Sequence, residues 1–126
     1  MPERANAGFT VARVYDDAQH RGYRVLVDRL WPRGVKRDDL ALDEWAKDVA
    51  PTAELRRWYG HDPTRFEEFA ETYRKELVRA PAAEVVDHLL DVAAERPVVL
   101  LTATRDVEIS GACVLLDHLS GVAGDR

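Results

Sequence analysis

The sequence predicts one α/β domain: a small three-stranded sheet, mixed if its first two strands pair, packed by five or six helices. Three observations carry this. Residues 9–15, 23–28 and 98–103 are short runs rich in β-branched and other apolar side chains. Phe66, Phe69, Ala70, Tyr73 and Leu77 recur at the spacing of one helix face. The 126 residues, 46% hydrophobic and 33% charged, suit a single soluble domain with its own core.

Taken in order, residues 1–8 are small and polar and read as a frayed tail. In the first strand Phe9, Val11, Arg13 and Tyr15 share one face, and Thr10, Ala12 and Val14 the other. A polar loop closes on Gly22. In the second strand Val25, Leu26 and Val27 are consecutive, which implies burial on both faces. Pro32 and Gly34 make residues 29–39 a loop. Asp38 or Asp39 then caps a short helix presenting Leu42, Trp45 and Val49, which Pro51 ends. Thr52 caps a second short helix, stopped by Gly60. Asp62 followed by Pro63 opens the Phe66–Leu77 helix. Val85, Val86, Leu89, Leu90 and Ala93 mark another helix, ended before Pro97. The run 98–103 is a buried strand, and Ile109, Ala112, Cys113, Leu116 and Leu119 mark a last helix before a tail at 121–126. About 70 residues separate the second and third strands, ample for a helical crossover and parallel pairing. About seven join the first two, so these are antiparallel neighbours or unpaired.

Composition excludes several classes. One cysteine, Cys113, rules out a disulfide framework and a multi-cysteine zinc site, and it suits a reducing cytosol. The longest apolar run, residues 112–116, is far short of the ~20 residues that span a bilayer. The first residues carry no export pattern, so a cytoplasmic protein without membrane partners is expected. A net charge of −5 argues against a general duplex-DNA coat. No GxGxxG, P-loop, GxSxG or HExxH is present, so no cofactor and no metal site is expected. His20, His88 and His118 are scattered and read as surface residues, and Cys113 reads as buried and inert.

Ligands in open α/β sheets bind beyond the carboxyl ends of the strands. The second strand here runs into Asp28, Arg29, Leu30, Trp31, Pro32, Arg33 and Gly34, and the third into Thr104, Arg105 and Asp106. Between residues 21 and 37 six cations (Arg21, Arg24, Arg29, Arg33, Lys36, Arg37) face one anion, Asp28. A basic segment on an acidic protein focuses anionic ligands, and the guanidinium fork suits phosphate or carboxylate. The plainer alternative is that these arginines pair with the chain's own carboxylates, with Lys36 and Arg37 solvated. His61, beside Asp62, is a candidate proton donor or acceptor, or else a turn histidine that bonds the backbone. Trp31 and Trp58 are candidate pocket walls, whereas Trp45 reads as core.

The string Val27-Asp28-Arg29-Leu30-Trp31-Pro32-Arg33-Gly34, with Ala50-Pro51, Glu54-Leu55-Arg56, Trp58 and His61-Asp62-Pro63, closely resembles the small bacterial DUF488 proteins of the YeaO-like group. The resemblance runs from about Arg13 to Leu119. It implies an α/β fold and a cytosolic bacterial protein, and it assigns no activity. Two stretches depart from the pattern. No His-Asn pair follows Arg105-Asp106, and the cysteine-containing stretches of the broader family are absent. The leading reading is an enzyme-like domain that holds a phosphate-bearing small molecule, such as a nucleotide. Arg29, Arg33 and Arg105 grip the anion, His61 and Asp28 act on it, and Trp31 and Trp58 wall the site. Such a site suits hydrolysis or transfer at a phosphoryl or glycosidic bond. The rivals are a non-catalytic module docking a nucleic-acid backbone or an acidic protein, and a purely structural Arg–Asp–Trp network.

Overall fold

The computed structural model describes residues 4–6, 8–16 and 21–125. Its sheet has the order β1 (Arg4–Asn6), β2 (Phe9–Arg13), β5 (Val98–Thr102), β3 (Tyr23–Leu26), β4 (Glu44–Trp45). β2, β5, β3 and β4 are parallel, and β1 runs antiparallel to β2. The α/β class is as the sequence predicts, but the sheet has five strands among the described residues where three are expected. The two additional strands are short edge strands of three and two residues, too brief to show an alternating pattern. The second and third expected strands are parallel neighbours. The first two are not paired with each other, because β5 lies between them.

Among the described residues five α-helices accompany the sheet: α1 (Arg37–Leu40), α2 (Ala53–Tyr59), α3 (Phe66–Leu77), α4 (Ala82–Ala93) and α5 (Gly111–Asp125). The Thr52 hydroxyl accepts from Leu55 N at 3.2 Å and caps α2, which Gly60 ends in a left-handed conformation at φ 54°. Asp62 accepts from Thr64 N at 3.0 Å, and Pro63 opens a 3-10 turn that runs into α3. Ser110 Oγ accepts from Cys113 N at 3.1 Å at the start of α5.

The helix expected to present Leu42, Trp45 and Val49 does not form. That segment is α1, then β4, then a 3-10 turn at Lys47–Val49, and Lys36 rather than an aspartate stands at the cap of α1. Leu42 and Trp45 pack against one core and Val49 lies in another, so no single helix face could serve all three. The segments read as tails also carry regular structure, since Arg4–Asn6 pair with β2 and α5 extends to Asp125. His20 and the outermost residues lie outside the described residues.

Alternation along the strands divides the apolar side chains between two layers. Phe9, Val11, Val25, Val27, Val98 and Leu100 join the large core, which holds residues of α2 to α5. Ala12, Val14, Leu26, Val99 and Leu101 face a smaller cluster with Leu40, against which Trp31, Val35, Leu42 and Trp45 pack. β5, between two parallel neighbours, is buried along its whole length.

Gly22 opens β3 at φ 140°, and a Cβ there would stand 2.6 Å from the Pro97 carbonyl oxygen. That oxygen accepts from Tyr23 N at 2.8 Å and is held in place. Gly22→Ala is therefore expected to destabilise the protein by at least about 1 kcal/mol, checked by urea denaturation.

Candidate functional site

The parallel strands end together, and the segments that follow them enclose an open cleft of about 700 Å³. Its walls come from Tyr15 after β2, from Val27 to Arg33 after β3, from Ala103 to Asp106 after β5, and from Arg56, Arg57, Tyr59 and His61 on α2 and its following turn. Carboxyl ends of strands expose backbone that must turn away from the sheet, which is why such loops form binding sites.

Asp28 ties the two central strands together at this edge. Thr102 Oγ1 donates to Oδ1 at 2.8 Å, and Ala103 N donates to Oδ2 at 2.8 Å. Its backbone carbonyl accepts from Trp45 Nε1 at 2.8 Å. Burial pushes the Asp28 pKa above the ordinary aspartate value. The opposing effects, the two hydrogen bonds and the charges of Arg56 and His61, do not overcome it.

Arg29 is half-buried and donates through Nε to Pro51 O at 3.1 Å and through Nη2 to Ala50 O at 3.3 Å. It pins the loop after β3 to the segment before α2, and neither partner carries charge. Arg33 is exposed, and its backbone carbonyl accepts from the Tyr15 hydroxyl at 3.1 Å. Arg105 is exposed on the opposite loop. Trp31 lines the cleft but is also committed to its own loop. Its Nε1 donates to Val35 O at 2.7 Å, its ring meets Trp45 edge-on at 5.3 Å, and the Arg37 guanidinium lies 5.0 Å from its ring centre.

His61 adopts a left-handed φ of 55° directly after Gly60, which swings the chain from α2 to the Asp62 cap. Its ring tilts over Tyr59 at 5.8 Å. The Asp62 carboxylate does not orient it. That carboxylate accepts from Thr64 N and, at 2.7 Å, from Thr64 Oγ1, and Arg65 lies 3.7 Å away. The Thr64 hydrogen bonds hold the Asp62 pKa below its ordinary value. Trp58, expected as a wall, is not part of the cleft. The turn of α2 that buries Leu55 and Tyr59 leaves Trp58 exposed, with the Arg65 guanidinium 5.3 Å from its ring centre. Tyr59 takes the place expected of it. Its hydroxyl donates to Ile109 O at 2.6 Å, and its ring stacks on Phe69.

Of the six cations between residues 21 and 37, only Arg29 and Arg33 line the cleft. Arg24 donates to the carbonyls of Leu40 and Ala41, and Arg37 covers tryptophan faces. Arg56, Arg57 and Asp106 line it without having been singled out as site residues from the sequence. The signal was the Arg56-Arg57 pair beside His61 in the same segment. His88 is exposed, its Nε2 lies 2.8 Å from Glu44 Oε1, and it does not line the cleft. Cys113 is buried. Among the described residues no group of three or more His, Cys, Asp or Glu could hold a metal ion. No helix among them is long and apolar enough to cross a membrane.

Residues 8–123 match the family model described as the inactive DUF488-N3 subclade. The chain is 48% identical over 112 residues to the uncharacterized protein Rv3073c of Mycobacterium tuberculosis, covering 88% of this chain and 92% of that protein. It is 44% identical over 108 residues to the uncharacterized protein YeaO of Escherichia coli, covering 85% of this chain and 92% of that one. No solved structure matches it. The cleft-forming segments fall within the matched span, and with that match and these relatives the chain belongs to the DUF488 family.

Proposed function

We propose that the protein binds a phosphate-bearing small molecule, such as a nucleotide, in the cleft between the β3 and β5 loops and holds it without converting it. One observation carries the reading. Among the described residues five arginines (Arg29, Arg33, Arg56, Arg57, Arg105) line the cleft against two carboxylates, Asp28 and Asp106. Among the described residues Arg29 bonds only carbonyls, and the guanidiniums of the other four have no hydrogen-bond or ion-pair partner. Like charges gathered in one cleft repel, and a bound anion relieves that repulsion.

Binding without turnover is supported by three features. The matched subclade is described as inactive. Among the described residues no carboxylate hydrogen-bonds His61 to orient it as a general base, and Asp62 is taken by the cap of the following turn. Both oxygens of Asp28 already accept hydrogen bonds from β5 and its loop. Asp28 and His61 thus act as part of the cradle.

The test is calorimetric titration with AMP, with phosphorus NMR of the same mixture. Binding with no new phosphorus signal is expected. Arg33→Ala should weaken it by roughly tenfold or more, the value of about one charge-assisted hydrogen bond, with an unchanged circular dichroism spectrum. Tight binding of a single-stranded oligonucleotide with none of AMP would overturn the reading in favour of a nucleic-acid module.

A further inference from the structure

The arrangement of the five arginines says more about the ligand than that it is an anion. We infer, resting on the phosphate-binding reading above, that the cleft selects a molecule carrying two or more linked phosphates over a monophosphate.

The first argument is charge. A phosphate monoester carries about −1.5 to −2 at neutral pH. Among the described residues the cleft's five arginines exceed its two carboxylates by three. The Asp28 carboxylate, already counted in that balance, acts on Arg56. Arg33, Arg57 and Arg105 are exposed and have no such partner among the described residues. One monophosphate would leave positive charge unmatched.

The second argument is geometry. The arginines stand on three separate segments, two after β3, two on α2 and one after β5. Arg56 and Arg57 are consecutive on a helix and leave its axis about 100° apart, so they approach the cleft from different directions. A single phosphate group is filled by about two bidentate forks. Charge spread along the cleft fits charge spread along the ligand, as in a diphosphate or triphosphate chain. A cleft of about 700 Å³ is also of the size that takes a whole cofactor-like molecule rather than a lone ion.

The third argument is the contrast with the rest of the chain. The protein as a whole carries −5, so its net charge repels a polyanion and the local excess of arginine in the cleft is what would attract one.

The experiment compares two series by calorimetry at fixed ionic strength: phosphate, pyrophosphate and tripolyphosphate; and AMP, ADP and ATP. Affinity should rise at least about tenfold from one phosphate to two in both series. Arg105→Ala and Arg57→Ala should each flatten that step, while Lys75→Ala, which removes a charge exposed on α3, should leave it unchanged. Equal affinity for AMP and ADP would overturn the inference while leaving phosphate binding standing. No binding of any member would overturn both. A step flattened as much by Lys75→Ala as by Arg105→Ala would mean diffuse attraction and would also overturn it. Circular dichroism of each variant checks the fold.

Discussion

Phe69→Ala will destabilise the protein by about 3–5 kcal/mol, the range for emptying a fully buried aromatic site. Phe69 is 2% exposed. It stacks on Tyr59 with ring centres 4.1 Å apart and planes 15° apart, and it meets Tyr73 at 5.8 Å. Both neighbours are anchored at their far ends. Tyr59 donates to Ile109 O, and the buried Tyr73 donates to Val49 O. Neither ring can swing inward to fill the space, because each would give up a hydrogen bond made from within the fold. The loss should therefore lie near the top of the range. Phe66→Ala, at a half-buried position one turn earlier, should cost less. Guanidinium denaturation of both variants measures the difference. A loss under about 1 kcal/mol for Phe69→Ala would show that the site collapses around the deletion. Because Tyr59 also lines the cleft, the same variant should loosen ligand binding through that wall.

The contrast between α3 and the segment before it shows what was legible in the sequence. The α3 stripe is readable because all its apolar residues go to one core and the 3-10 turn that leads into it has a local cap, Asp62 to Thr64. Leu42, Trp45 and Val49 imitate that spacing, yet they wrap the sheet edge and reach two different layers, a tertiary choice that periodicity does not encode. β1 has the sequence Arg-Ala-Asn and pairs only at an edge, so it has no apolar signature. The cleft was legible where it follows from strand ends, at residues 28–33 and 103–106. It was not legible on α2. Trp58 lies three residues before His61 in the sequence, but the helix turns Leu55 and Tyr59 inward and leaves Trp58 out of the cleft. Arg56 and Arg57 enter the cleft only because α2 is laid beside the β3 loop, where Arg29 holds the chain at Ala50 and Pro51.

Asp28→Ala will destabilise the protein by about 1–3 kcal/mol at neutral pH, chiefly by orphaning one backbone amide. Two donors lose their acceptor, but they differ in what they can do next. Thr102 Oγ1 lies 3.1 Å from Thr104 Oγ1 and can redirect its hydroxyl there. The Ala103 N–H is fixed by the end of β5 and has only the Asp28 carboxylate. Asp28→Asn should cost less, since its amide oxygen can still accept from Ala103. The two variants also separate the role of the acceptor from the role of the charge. Burial raises the Asp28 pKa in the folded chain. Between the ordinary aspartate value and this raised value the folded state holds more protons than the unfolded one, so stability falls as pH rises through that interval and levels off above it. Asp28→Asn removes this contribution. Urea denaturation of the parent protein and Asp28→Asn from about pH 3 to 8 should show the parent's relative stability declining on the acid side and then running parallel to the variant. A relative stability that instead rises with pH would mean that Arg56 and His61 hold the carboxylate ionised more strongly than burial opposes it. In that case the floor of the cleft would be an ion-pair network, and less of the arginine charge would be free to meet a ligand.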